Sequence, residues 1–161
     1  MKKLVVTLLG LAVATVAGLA GAGDASAAPL QQINTNGNTH VNFGDHSFCR
    51  GAVTYKLDVP ARKRGVVRVT AISHGFRGEG ATWKRNPKCT FRIRSGYTSA
   101  RGIEMEKWNR VSFGPRPGEK KSWEVTTGSG LATMAVTTWA VNTPVRISQS
   151  ASGATFFFIV P

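Results

Sequence analysis

The stretch that decides the fold is residues 52–73, AVTYKLDVPARKRGVVRVTAIS. Apolar residues occupy every second position of its first half, where they alternate with Thr54, Lys56 and Asp58. A basic turn at 62–65 follows, and the alternation then resumes around Arg68. A period of two is typical of a β-strand with one buried face. The stretch therefore predicts two strands separated by a turn.

The same alternation recurs along the chain and is punctuated by glycine and proline. The alternation over 89–94 predicts a further short strand that begins at a cysteine, whereas 75–87 and 95–102 have the composition of loops. Residues 103–108 fit a helical turn or a strand equally well. No segment after residue 27 predicts a convincing helix. We expect an all-β fold of eight to nine short strands, as an antiparallel β-sandwich (with immunoglobulin-like topology as one alternative) or a barrel.

The first 27 residues predict a bacterial signal peptide. A cationic start precedes an apolar run over 4–20, and Ala25, Ser26 and Ala27 provide the small residues of a cleavage site. The apolar run is short for a membrane span. We therefore expect a single secreted domain over 28–161, extracellular or associated with the envelope.

Two cysteines, Cys49 and Cys89, remain in that domain. In an oxidising compartment an even pair indicates a disulfide, although two separate buried thiols are the alternative. No second cysteine or nearby histidine has the spacing of a zinc site. The sequence predicts one disulfide and neither a metal nor another cofactor.

The charge is strongly basic and concentrated in the middle of the chain. The full sequence has 21 Lys and Arg against 8 Asp and Glu, a formal net charge of +13. Thirteen of the basic residues lie within 50–101, where Asp58 and Glu79 are the only acids. Such a concentration projects a positive field that attracts polyanions.

The alternation indicates where some of these cations point. Lys56, Arg68, Arg92 and Arg94 stand opposite the apolar positions of their strands, so they would form a single cationic face if the three strands shared a sheet. Guanidinium groups pair with two oxygens of a phosphate, sulfate or carboxylate. A solvated surface without a ligand is the alternative interpretation. The predicted anion-binding residues, including two flanking loops, are Lys56, Arg62, Lys63, Arg64, Arg68, Lys84, Arg85, Lys88, Arg92 and Arg94.

These features favour a secreted basic protein that binds anionic polymers of the cell envelope or the extracellular matrix, with peripheral membrane contact as a further possibility. A recognised nucleic-acid-binding motif is missing, so specific nucleic-acid binding is not expected. The alternative is a secreted effector, either a membrane-active antimicrobial or a proteinase inhibitor that uses a rigid loop at 75–88.

An enzyme is not expected, because no motif specifies a nucleophile or paired carboxylates. A hydrolase using His40, His46 or His74 remains a third hypothesis. Trp123 and Trp139 occur within strand patterns and are expected in the core.

Overall fold

The computed structural model describes residues 28–150 and 152–161, which fold into two antiparallel β-sheets. Sheet I has the order β1-β4-β5-β8, with β3 also paired to β4, and sheet II has the order β2-β10-β9-β6-β7. The elements are β1 (Ala28–Pro29), β2 (Gln31–Asn34), β3 (Thr39–Phe43), β4 (Arg50–Val59), β5 (Val66–Arg77), α1 (Gly80–Arg85), β6 (Cys89–Thr98), β7 (Glu104–Phe113), β8 (Lys120–Thr126), β9 (Gly130–Trp139) and β10 (Ala154–Val160). The predicted antiparallel β-sandwich is confirmed. The predicted signal peptide at 1–27 lies outside the described residues.

The stretch that predicted two strands forms the β4–β5 hairpin. Leu57 pairs with Val69 and Asp58 with Arg68, so the apolar positions of both strands face the same side. The turn between them contains Gly65 at a φ of 68°, and a Cβ there would lie 2.9 Å from the Cα of Gly128. Glycine is required at this turn because both the positive φ and the close approach exclude a side chain.

The core lies between the sheets and is richest in aromatic rings at one end. Phe76 of sheet I packs against Phe91 and Phe113 of sheet II, with ring centroids 5.6 and 5.8 Å away, and all three rings are fully buried. Trp123 of sheet I also crosses the core, where its indole Nε1 donates to Ser95 Oγ at 2.9 Å. These contacts fix the two sheets face to face, so the side chains between them are excluded from solvent.

The predicted disulfide joins Cys49 to Cys89, with the two Cα atoms 5.6 Å apart. Cys49 directly precedes β4 of sheet I, and Cys89 is the first residue of β6 in sheet II. The bond therefore links the two sheets covalently. Gly44 lies against it so closely that a Cβ would collide with both sulfur atoms.

Several predicted strand boundaries are wrong, for identifiable reasons. The predicted loop at 75–87 instead contains the end of β5 and the short helix α1. The predicted loop at 95–102 is strand as far as Thr98, because Ser95 is buried as a hydrogen-bond acceptor and Gly96 leaves room for the side chain of Arg94. Tertiary contacts thus override the loop-like composition of this segment.

Residues 103–108, which fitted either helix or strand, belong to β7 from Glu104 onward. Within the described ranges, no helix has the length and apolar character needed to span a membrane.

Candidate anion-binding surface

The cations predicted to form one face lie on two. Lys56 and Arg68 belong to β4 and β5 of sheet I, whereas Arg92 and Arg94 belong to β6 of sheet II. Because the outer sides of a sandwich point in opposite directions, the four side chains cannot meet a ligand on one shared plane. The prediction of a single cationic face is therefore wrong.

Two of the predicted cations on the side of sheet I, Lys63 and Arg68, are paired with acids. Arg68 lies 3.6 Å from Asp58 and 3.5 Å from Glu124, and Lys63 lies 2.6 Å from the other oxygen of Glu124. The hydrogen bond and then the charge of Lys63, followed by the hydrogen bond and charge of Arg68, lower the pKa of Glu124. This carboxylate therefore stays ionised and offsets the positive charge, which leaves Lys56 as an exposed cation among hydroxyl side chains.

The two predicted basic loops lie at opposite ends of sheet I. Residues 62–64 occupy the turn where β5 begins, and Lys84 and Arg85 belong to α1, which follows the end of β5. The twelve residues of β5 separate the two groups by about 40 Å at the usual rise per residue. Lys88 lies with the α1 group, just before the disulfide. The loops therefore do not converge on one ligand site.

The outer side of sheet II combines cations with aromatic rings. We define the arginine–tryptophan face as the side chains of β6, β7, β9 and the segment after β9 that meet on this side. Its members are Arg92, Arg94, Trp108, Arg110, Trp139 and Arg146.

Two adjacent rows of the sheet build the face. In one row Arg92 lies between Trp139 on β9 and Arg110 on β7; in the next, Arg94 lies opposite Trp108. The rings of Trp108 and Trp139 meet edge to face, with centroids 5.9 Å apart. Each row therefore places an arginine of β6 directly beside a tryptophan of a neighbouring strand.

Arg146 completes the face from outside the sheet. Its guanidinium carbon lies 4.9 Å from the centre of the Trp108 ring, within the range of a cation–π interaction. Residues 145–147 alternate like a strand but do not form one in the structure: Val145 and Ile147 stay exposed, and Arg146 lies over the tryptophan.

Glu106 balances one of these cations. Its Oε2 accepts from Arg94 Nε at 2.7 Å and its Oε1 accepts from Trp108 Nε1 at 2.8 Å. The tryptophan hydrogen bond, and then that of Arg94, lowers the pKa of Glu106. Glu104 lies farther from Arg94, at 3.8 Å. Arg94 is thus held in place and partly neutralised at neutral pH.

The remaining arginines of the face have no such partner. Among residues 28–150 and 152–161, none of the ion pairs within 4.0 Å involves Arg92, Arg110 or Arg146. Arg92 and Arg110 stand directly opposite each other, and like charges in that position destabilise a sheet. An anion bound between them would remove this repulsion and could accept hydrogen bonds from both guanidinium groups.

The sequence pointed to Arg92 and Arg94 but missed the rest of the face. Trp123 is buried as expected, whereas Trp139 is half-buried on the outer side, so its assignment to the core is wrong. Arg110 and Arg146 lie outside the basic middle of the chain. The pairing of β6 with β7 brings Arg110 to Arg92, and the segment after β9 brings Arg146 to Trp108.

The three histidines do not meet. His40 is buried, with its ring nitrogens 3.0 Å from Ser152 Oγ and from a backbone carbonyl. His74 bonds to Thr54 on the outer side of sheet I, and His46 lies near Trp83, with ring centroids 6.2 Å apart. In the part of the chain that the structure describes, no three metal-ligating side chains are grouped to hold an ion.

The chain matches no protein-family model, no curated protein and no solved structure.

Proposed function

We propose that this protein is a secreted binding protein for anionic polymers of the cell envelope or the extracellular matrix, and that the arginine–tryptophan face is its binding surface. The observation that carries the proposal is the row in which Trp139, Arg92 and Arg110 lie side by side across three strands. Two unpaired guanidinium groups and a partly exposed ring are thereby presented together on a rigid sheet.

The chemistry of the face suits a polymer that carries both charges and apolar ring surfaces. Arginine forks recognise the paired oxygens of carboxylate, sulfate or phosphate groups. Tryptophan adds an apolar face with a polar edge, which suits contact with one side of a sugar ring. The cation–π contact of Arg146 keeps the ring of Trp108 in position. An acidic polysaccharide satisfies both requirements.

The alternative is a secreted effector, either a membrane-active antimicrobial or a proteinase inhibitor that uses residues 75–88. In the structure Gly75 lies within β5 and Gly80–Arg85 form α1, so an inhibitory contact there would be made by the exposed segment around this short helix.

Neutralising the unpaired arginines should weaken polyanion binding. We expect the Arg92→Gln/Arg110→Gln double variant to bind dextran sulfate roughly tenfold to a hundredfold more weakly, since hydrogen bonds to charged groups contribute about 1.5–3 kcal/mol each before screening. Its affinity should also depend less steeply on salt. Titration calorimetry with dextran sulfate, together with adsorption to isolated cell walls, measures both effects.

The matched control is Arg62→Gln/Arg64→Gln, which removes the same charge from exposed side chains at the β4–β5 turn. We expect this variant to bind nearly as well as the wild type. Equal weakening by both double variants would mean that net charge alone attracts the polymer, and the proposal would fail. Neutral dextran should bind neither variant strongly.

Removing the ion pair between Glu106 and Arg94 should strengthen binding of dextran sulfate. Glu106→Gln removes the carboxylate that accepts from Arg94, so we expect several-fold tighter binding to dextran sulfate at neutral pH. Glu124→Gln is the control, because it frees cations on sheet I only.

The pH dependence follows from the lowered pKa of Glu106. The stabilisation from this carboxylate is present above the ordinary glutamate pKa and is lost as pH falls through the lowered value. As pH falls over that range, the affinity of the wild type for dextran sulfate should rise toward that of Glu106→Gln. The affinity of the variant should change less. Sulfate groups stay ionised there, so the ligand does not confound the comparison. Identical pH profiles for wild type and variant would contradict the role given to Glu106.

A further inference from the structure

The loop between β3 and β4 exposes an aromatic side chain in a strained backbone conformation. Phe48 is 82% exposed. Its backbone φ is 47°, and that of the preceding residue, Ser47, is 55°. A bulky residue in the left-handed region is uncommon and costs free energy. The sequence thus keeps a large apolar side chain where neither burial nor backbone preference favours it.

The loop is nevertheless firmly held. Gly44 N donates to Cys49 O at 2.9 Å, Cys49 N donates to His46 O at 3.0 Å, and Arg50 Nη1 donates to the carbonyl of Phe48 at 3.2 Å. Gly44 packs on the disulfide. Asp45 accepts from the backbone N–H groups of residues 141 and 142 beyond β9. The ring of Phe48 is therefore presented by a fixed loop, so its ordering costs little on binding.

The elements next to this loop carry several cations. Glu79 N donates to Ser47 O at 2.8 Å, which holds the segment leading into α1 against the loop. The side chain of Ser47 also bonds to Thr82 within α1. Arg50 lies opposite Arg77 in the β4–β5 ladder, and Glu79 pairs with Arg50. The exposed cations on the elements next to this loop are Arg50, Arg77, Lys84, Arg85 and Lys88.

We propose that this end of the sandwich binds the surface of an anionic lipid bilayer, with Phe48 inserted at the level of the headgroups and the surrounding cations against lipid phosphates. An apolar side chain flanked by cations suits such a bilayer, because the apolar group can enter the boundary between headgroups and acyl chains while the cations attract the anionic headgroups. Phe43 is also exposed and borders the same shallow groove of about 360 Å³, which gives Phe48 an apolar neighbour. This contact is separate from the arginine–tryptophan face and does not depend on it.

The test measures co-sedimentation with vesicles of phosphatidylcholine containing one third phosphatidylglycerol. Phe48→Ser should lower the partition coefficient between vesicles and water roughly tenfold. This factor corresponds to the free energy gained when a phenyl ring is transferred from water into an apolar environment. Vesicles of phosphatidylcholine alone should bind the wild type weakly. Phe48→Ser should bind dextran sulfate as the wild type does, whereas Arg92→Gln/Arg110→Gln should keep its vesicle binding.

The matched control is Leu131→Ser, which removes another exposed apolar side chain, 68% accessible, at the far end of β9 from residue 141. It should leave vesicle binding unchanged. Weaker binding of Leu131→Ser with unchanged binding of Phe48→Ser would overturn the proposal and assign the contact to the other end.

A second variant separates binding from folding. Phe48→Gly relieves the positive φ, so its thermal midpoint should be equal to or higher than that of the wild type while its vesicle binding falls. A loss of thermal stability with retained vesicle binding would show that Phe48 is structural, and would reject the proposal.

Discussion

Replacing Cys49 and Cys89 together with alanine should lower the free energy of unfolding by about 4 kcal/mol, the chain-entropy value for a closed loop of about 40 residues. For a domain of this size the midpoint of thermal unfolding should fall by roughly 15 °C. The bond joins the residue before β4 of sheet I to the first residue of β6 in sheet II, so without it the unfolded chain gains conformational freedom over the sequence separation of 40 residues between them. Thermal unfolding followed by circular dichroism measures the change.

The double alanine variant loses the packing of two sulfur atoms as well as the covalent bond, and reduced wild-type protein is the control that separates these effects. It keeps both sulfur atoms in the core but lacks the covalent link, so it should unfold near the temperature of the double alanine variant. A midpoint that stays close to that of the oxidised protein would mean that packing around Gly44 and the aromatic rings, not the cross-link, holds this end of the sandwich together.

The strands were predictable because their signal is local. Val53, Tyr55 and Leu57 are buried where the alternation placed them, and the β4–β5 hairpin follows from that pattern and one turn. The alternation also placed Lys56 and Arg92 on the sides opposite the core of their strands. Burial of one face fixes these orientations wherever a strand packs on a core.

The membership of each strand in a sheet was not predictable by the same reasoning. β6 follows β5 and α1 along the chain, yet it pairs with β7 and β9. The chain crosses between sheets after Arg77, and only the packing of the whole domain determines that crossing. For this reason Arg92 was grouped with Lys56, although it lies beside Trp139 and Arg110.

The conformation of the loop at 44–49 and the exposure of Phe48 were not predictable, for another reason. Its composition is that of an ordinary turn, and Phe48 could be expected to fold inward with other phenylalanines. Two consecutive positive φ values turn the ring outward instead. Such backbone values depend on the disulfide and the Asp45 contacts, which involve residues 40 to 97 positions apart in the chain.

Replacing Phe91 with alanine should lower the free energy of unfolding by about 3–5 kcal/mol, the usual cost when a buried aromatic ring leaves a cavity. Phe91 is fully buried between Phe76 and Phe113, with ring centroids 5.6 and 5.9 Å away, so neither neighbour can fill the space without losing its own contacts. Urea unfolding of the variant and the wild type gives the difference.

Phe157→Ala is the matched control, because the ring of Phe157 lies on the outer side of sheet II and is 41% exposed. Its removal should cost about 1–2 kcal/mol, less than the cost at Phe91, since part of the ring stays in water in the folded protein and its removal leaves no enclosed cavity. Phe91 and Arg92 point to opposite sides of β6. The folded fraction of Phe91→Ala should therefore bind dextran sulfate as the wild type does at temperatures well below its unfolding. A large loss of affinity under those conditions would mean that the positions of the arginines depend on core packing beneath them, and that the face is less rigid than the pairing of its strands implies.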